Sequence, residues 1–161
     1  MANAIDIKYI NPFLQATITI FEMLGMGGAK VGKPSLSKLE FPDTTFLIQV
    51  GLTGDMKGQA FLAMTEDRAK QIASVMMMGM PVETLDAMAC SALGELGNMV
   101  LGNTATLFST MNVIVDITPP LSMHGKKLKL STDNAVFCIP ILLNEQNYIT
   151  LYLAVAENKD K

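Results

Sequence analysis

The sequence predicts an α/β fold of the α+β kind. Two halves, each a helix followed by three strands, form a mostly antiparallel sheet covered by helices. Three observations carry that reading. Segments of apolar alternation come in pairs joined by turn residues, and such pairs are hairpins. Apolar segments flanked by capping residues and by Gly or Pro mark helices between them. The chain also aligns with itself along much of its 161 residues, half of which are hydrophobic, ample material for a core at this size.

Asn11-Pro12 opens the first helix, residues 13–24, because Asn caps well and Pro is pre-organised for the first helical position. The cluster from Gly25 to Gly28 ends it, and it is no phosphate loop, since no Gly-Lys-Ser/Thr follows. Residues 30–39 read as extended, with Pro34 inside. Residues 45–52 alternate through Phe46, Ile48, Val50 and Leu52, the pattern of a half-buried strand. After the turn from Gly54 to Gly58 a second strand runs to Met64. Thr65 caps a helix to about Met78, with Glu66 and Asp67 in the first turn, where the helix dipole favours acids. Gly79 and Pro81 break it. A long helix spans roughly residues 83–110. Residues 113–116, the pair Pro119-Pro120 and a short strand at 128–130 follow. Residues 135–143 and 148–156 close the chain as a hairpin around 144–147. Pro140 cannot donate to a ladder, so it suits an edge strand or a bulge. The charged tail, 157–161, is expected to fray.

The two hairpins match at an offset of 91: Phe46 to Leu52 falls on Phe137 to Leu143, and Ala60 to Met64 falls on Leu151 to Val155. Helical positions match at an offset of 87, with Asn11 on Asn98, Leu14 on Leu101, Thr17 on Thr104 and Phe21 on Phe108. The chain is therefore read as one domain, residues 1–161, with a pseudo-twofold repeat of about 8–64 and 84–156 and the 65–80 helix inserted between the copies. Glu95 then aligns with Lys8. The first half has Lys8-x-x-Asn11 where the second has Glu95-x-x-Asn98, so if Glu and Asn must act together, only the second half can act.

Composition removes several function classes. The formal net charge is −3 and no Lys/Arg block is present, whereas nucleic-acid binding needs a basic stripe. Cys90 and Cys138 sit in apolar runs without CxxC spacing and read as two buried free thiols. His124 is the single histidine and reads as a loop residue, so no zinc site is expected. Asp6 and Lys8 stand where the apolar core of a signal peptide would be, and no run of about 18 apolar residues exists; the expected location is cytoplasmic, with no membrane span. Met76-Met77-Met78-Gly79-Met80 is read as flexible core filling at a helix end, in preference to an adaptable binding surface.

The stretch Ser91-Ala92-Leu93-Gly94-Glu95-Leu96-Gly97-Asn98 holds the candidate chemistry. At about 100° per residue, Asn98 lies roughly 60° and Ser91 roughly 40° to one side of Glu95, with Gly102 between. Leu93, Leu96, Val100 and Leu107 cluster opposite, a stripe for the core. The other face is narrow, small and polar: Ala87, Ser91, Glu95, Asn98, Gly102. Solvated helices usually carry i,i+4 charge pairs, yet no Lys or Arg occurs between residues 83 and 110. A tight helix–helix contact at Gly94, Gly97 and Gly102 is the alternative reading. A carboxamide is neither nucleophile nor strong base, but it donates and accepts hydrogen bonds at once. It is suited to orienting a water, which is much of the task in phosphoryl transfer.

At these residues the chain resembles the CheC/CheX/FliY family of chemotaxis phosphatases. The resemblance rests on Ser91-x-x-x-Glu95-x-x-Asn98 with Pro119-Pro120 about twenty residues on, on Tyr9-Ile10-Asn11-Pro12-Phe13, and on Gly97-Asn98-Met99-Val100-Leu101-Gly102-Asn103. It covers nearly the whole chain. The resemblance implies a phosphatase acting on the aspartyl phosphate of a CheY-like receiver. Glu95 would pair with the lysine of the receiver's active site, and Asn98 would enter that site and orient the water for in-line attack. Ser91 and Gly102 would face the partner. Magnesium would belong to the receiver, with no cofactor bound by this chain. Lys8 in place of a first-half Glu resembles the CheX-like members, which carry one working motif and form homodimers. The spacing from Asn98 to the prolines departs slightly from the family's pattern, so Pro119 and Pro120 receive no role.

Other readings stay open. One is a non-catalytic adaptor binding a receiver domain or a flagellar-switch component. Another is a regulator of a chemotaxis deamidase, using a surface away from Glu95. For a dimer, the exposed edge of the hairpin at 135–156 offers a route.

Overall fold

The alternating segments become two long hairpins that meet at the centre of one sheet. In the computed structural model, which describes residues 5–159, the described residues form three helices and ten strands. In chain order these are α1 (Ile7–Met23), β1 (Lys30–Val31), β2 (Ser35–Ser37), β3 (Glu40–Phe41), β4 (Thr45–Gly54) and β5 (Met56–Thr65). Then come α2 (Glu66–Met76), α3 (Ala87–Ser109), β6 (Val115–Ile117), β7 (Leu121–Gly125), β8 (Leu128–Lys129), β9 (Val136–Leu143) and β10 (Gln146–Glu157). The large sheet runs β1-β9-β10-β5-β4-β6; β2 continues beside β9 and β7 beside β4. Its pairings are antiparallel. β3 and β8 form a separate two-stranded ribbon.

Successive residues of a strand point to opposite faces. Phe46, Ile48 and Val50 of β4, Leu62 of β5 and Leu151 and Leu153 of β10 enter the main core under the helices. Leu47, Phe61 and Ala154 enter a second cluster on the other face, closed by Leu39, Phe41 and Val136. The Asn144-Glu145 pair turns β9 into β10 with φ of 54° and 63°, the left-handed pair of a tight hairpin.

Several boundaries differ from the sequence reading. α1 begins at Ile7, not after Pro12, because Asp6 caps it by accepting a hydrogen bond from the Lys8 N–H at 3.0 Å. Pro12 sits inside the helix at the expense of one backbone bond. α2 stops at Met76 in a Schellman turn, in which the Met78 N–H donates to Val75 O and the Gly79 N–H donates to Ser74 O. Met78 holds the left-handed position, φ 60°, where Gly is usual and other residues cost about 1–2 kcal/mol. α3 starts four residues later than predicted, at the cap Asp86, whose Oδ1 accepts from the Ala89 N–H at 2.9 Å.

Each half holds five strand segments rather than three; the additional ones are two to five residues long, too short for a periodic signal. His124 lies in β7, not in a loop. β9 is no edge, since β1 and β2 run along it. Their pairing is interrupted opposite Pro140, whose carbonyl accepts from the Gly32 N–H at 2.7 Å. The hairpin at 135–156 is therefore interior to the sheet, and β1, β2, β6 and β7 are the outer strands among the described residues. Of the tail, Glu157 still belongs to β10; positions 160 and 161 lie outside the described residues, as do 1–4 of the N-terminal stretch. No helix among the described residues is long and apolar enough to cross a membrane.

Candidate functional site

α3 is the element that carries Glu95 and Asn98, and its inner face fixes where they stand. Leu93, Leu96, Val100, Leu101 and Phe108 are buried, and Phe108 meets Phe13 of α1 edge-on with ring centroids 5.5 Å apart. Two glycines bring the helix down onto the sheet. A Cβ on Gly97 would lie 2.7 Å from Ile48 Cγ2, and one on Gly94 would lie 3.4 Å from Pro120 Cγ. Pro120, left without a role by sequence spacing, thus packs beside the turn that bears Glu95. Gly102 behaves differently: a Cβ there would meet nothing within 4 Å. The three glycines that the sequence grouped together therefore divide, two toward the sheet and one toward open space.

The opposite face is the predicted narrow strip. Ser91 and Glu95 are exposed, and Asn98 and Gly102 are half-buried. Among the described residues no side chain pairs with the Glu95 carboxylate or the Asn98 carboxamide. They stand about 4.5 Å apart along the helix axis at a rise of about 1.5 Å per residue, on a rigid, packed element. A free carboxylate beside a free carboxamide can grip a cation with one group and hold a water or an oxygen with the other. Glu95 is the charged residue of α3. Residues 71–125 hold Glu83, Asp86, Glu95 and Asp116 and no Lys or Arg.

The corresponding positions of α1 are unlike. Lys8 and Asn11 are exposed, and the Lys8 ammonium lies 4.9 Å from the Tyr9 ring centroid. That face offers a cation where α3 offers an anion.

The remaining groups stand apart from the strip. Cys90 and Cys138 are free thiols but half-buried rather than fully buried. Burial, and secondarily the Asp86 charge, pushes the Cys90 thiol above its ordinary range, so it is not an activated nucleophile. Burial and then Cys138 hold the Tyr152 hydroxyl well above its usual value. His124 Nε2 lies 3.3 Å from Glu66 Oε2, and Lys70 Nζ lies 3.4 Å from Glu66 Oε1. Among the described residues no group of three or more His, Cys, Asp or Glu is placed to hold a metal ion. A 450 Å³ cleft between residues 36–40 and 129–136 shares no residue with the strip.

Sequence reasoning misplaced one feature beside the site. The methionine run is not core filling throughout: Met76 packs partly against the core, but Met78 is 96 % exposed and Met80 57 %. Met88, one turn before Ser91, is 64 % exposed and drew no notice. The signal available was the breakdown of helical periodicity after Met76, where Gly79 and Pro81 interrupt the chain.

Comparison with known proteins bears on this geometry. The family model described as "Chemotaxis phosphatase CheX" matches residues 46–142, a span that includes Glu95 and Asn98. The chain is 34 % identical over 152 residues to the CheY-P phosphatase CheX of Thermotoga maritima, covering 93 % of this chain and 97 % of that one. Among solved structures it superposes on CheX in the CheX–CheY–BeF3–Mg complex from Borrelia burgdorferi with a TM-score of 0.78 at 28 % identity, covering 96 % of this chain and 100 % of that one. A chemotaxis protein CheX from Desulfovibrio desulfuricans shares the fold at a TM-score of 0.78 and 22 % identity, covering 94 % and 99 % of the two chains. With its mixed sheet-and-helix architecture and its Glu95/Asn98 strip, the chain belongs to the CheX family of chemotaxis phosphatases.

Proposed function

We propose that this chain is a phosphatase that hydrolyses the aspartyl phosphate of a CheY-like receiver domain. The observation that carries the reading is the unpaired Glu95 and Asn98 on the open strip of a helix held tightly to its sheet. Glu95 grips a lysine of the receiver and so aims α3. Asn98 enters the receiver's site and orients a water. The water oxygen attacks phosphorus in line, the bond from phosphorus to the aspartate oxygen breaks, and the aspartate leaves as a carboxylate while inorganic phosphate forms. Ser91 and Gly102, small and on the same strip, let the receiver approach closely. Magnesium is the receiver's, and the location is cytoplasmic, with the receiver.

The test is decay of a ³²P-labelled receiver. Asn98→Ala is expected to lose at least about a hundredfold in rate, the usual scale for removing one positioned polar group, while still binding the receiver. Equal decay with wild type and variant, binding retained, would leave Asn98 a docking residue only.

Two structural proposals accompany this. The halves 8–64 and 84–156 are related by a pseudo-twofold, supported by Phe61 lying opposite Tyr152 in the β5–β10 ladder. Tyr152 is the residue that the offset of 91 assigns to Phe61, and a twofold axis requires such a self-paired position. A homodimer is also proposed, joined through an outer strand such as β2, whose Leu36 is 69 % exposed; sedimentation of wild type against a Leu36→Lys variant tests it.

A further inference from the structure

A groove of about 850 Å³ opens beside the strip, between the end of α2, the connection to α3 and the first turns of α3. Met76, Met77, Met78, Met80 and Met88 line it. Ser91 and Glu95 line it as well, so the groove is continuous with the face that meets the receiver. Met78, Met80 and Met88 stand largely in solvent. Clustered exposure of large apolar side chains marks an interaction surface more often than chance, and methionine adapts its shape to a partner without a fixed mould. The Schellman turn keeps Met78 outward, at a backbone position that normally takes Gly.

Resting on the proposed phosphatase reading, we propose that this methionine groove is the second half of the receiver's footprint. It takes an apolar patch of the receiver next to the phosphorylated site while Glu95 takes its cation. Charge favours this occupant over a second copy of the chain. Glu95 lines the groove, Glu83 and Asp86 line the adjoining cleft that shares Met77, and no Lys or Arg lines either. Two copies meeting face to face through it would set acid against acid. A receiver active site, which presents a lysine, is complementary.

The test measures binding of a receiver domain loaded with beryllofluoride and Mg²⁺, which needs no turnover. Replacing Met78, Met80 and Met88 together by Ser is expected to weaken binding tenfold or more, since truncating several exposed anchors at an interface typically exceeds about 1.4 kcal/mol, which is tenfold. The triple Leu variant, of similar volume, is expected to stay within about threefold of wild type. Both variants should keep the wild-type melting temperature, because the three side chains are outside the core. Unchanged affinity in the Ser variant would overturn the proposal. So would Ser substitutions that dissolve a homodimer in sedimentation while leaving receiver binding intact, which would assign the groove to a second copy. Failure here is distinct from failure of the phosphatase reading, because the ³²P decay assay with Asn98→Ala stands whatever the methionines do.

Discussion

Gly97 of α3 lies so close to Ile48 of β4 that a single added methyl group would come within 2.7 Å of the Ile48 Cγ2 atom. The neighbour is a branched core side chain in the middle of a strand, with Val50 Cγ2 at 3.5 Å from the same point, so there is little room to give. This approach sets the height of α3 above the sheet, and with it the reach of Glu95 and Asn98.

Gly97→Ala is expected to destabilise the fold by about 1–3 kcal/mol, the scale of overpacking in a filled core. Gly102→Ala meets open space and is expected to stabilise the helix by about 0.5–1 kcal/mol, through its better propensity. Calorimetry separates them: the first lowers the melting temperature and the second raises it. Gly102→Ala should at the same time weaken receiver binding, because it thickens the strip. A neutral Gly97→Ala would mean that α3 does not rest on Ile48.

Glu95 owes its proposed role to charge, so its effect should depend on salt. Glu95→Gln is expected to weaken binding of the beryllofluoride-loaded receiver about tenfold, the worth of one charge-assisted contact. Glu95→Lys, which copies Lys8 of the first half, should weaken it further by repulsion. Titrations across ionic strength check the cause, because screening should erode the wild-type affinity more steeply than that of Glu95→Gln.

Glu66, the first residue of α2, gives a pH dependence of stability. Its hydrogen bonds to Lys70 and then His124 hold its carboxyl below the ordinary value of 4.5. A folded-state value below the unfolded one means stabilisation that is present above about pH 4.5 and is lost as pH falls through the folded value. The effect is small, since the group is open to solvent. Melting temperatures of Glu66→Gln should therefore approach those of wild type below that window and fall short of them above it. A constant difference at every pH would remove the ion pairs as the cause.

Much of the site was legible because its signal is local. The angular order of Ser91, Glu95, Asn98 and Gly102 follows from the helical period alone, and so does the apolar stripe through Leu93, Leu96 and Val100. The hairpins at β4–β5 and β9–β10 were legible for the same reason, as was the Thr65 cap, whose Oγ1 accepts from the Arg68 N–H at 3.1 Å. Pro12 misled, because Asn11-Pro12 reads as a helix start, whereas the cap is Asp6 and Pro12 falls in the second turn.

Periodicity in one chain thus determines which faces of a helix or strand are apolar, and here that sufficed to place Glu95 and Asn98 together. It says nothing of what stands opposite. That β10 lies against β5 in the centre of the sheet, that Gly94 and Gly97 turn toward Pro120 and Ile48 while Gly102 turns away, and that Met78 and Met80 leave the core were decided by the tertiary structure. Burial and close approach are relations between segments distant in sequence. The division of residues 30–41 into β1, β2 and β3 exists only because β9 and β8 are present to pair with them, and no local pattern can announce a partner.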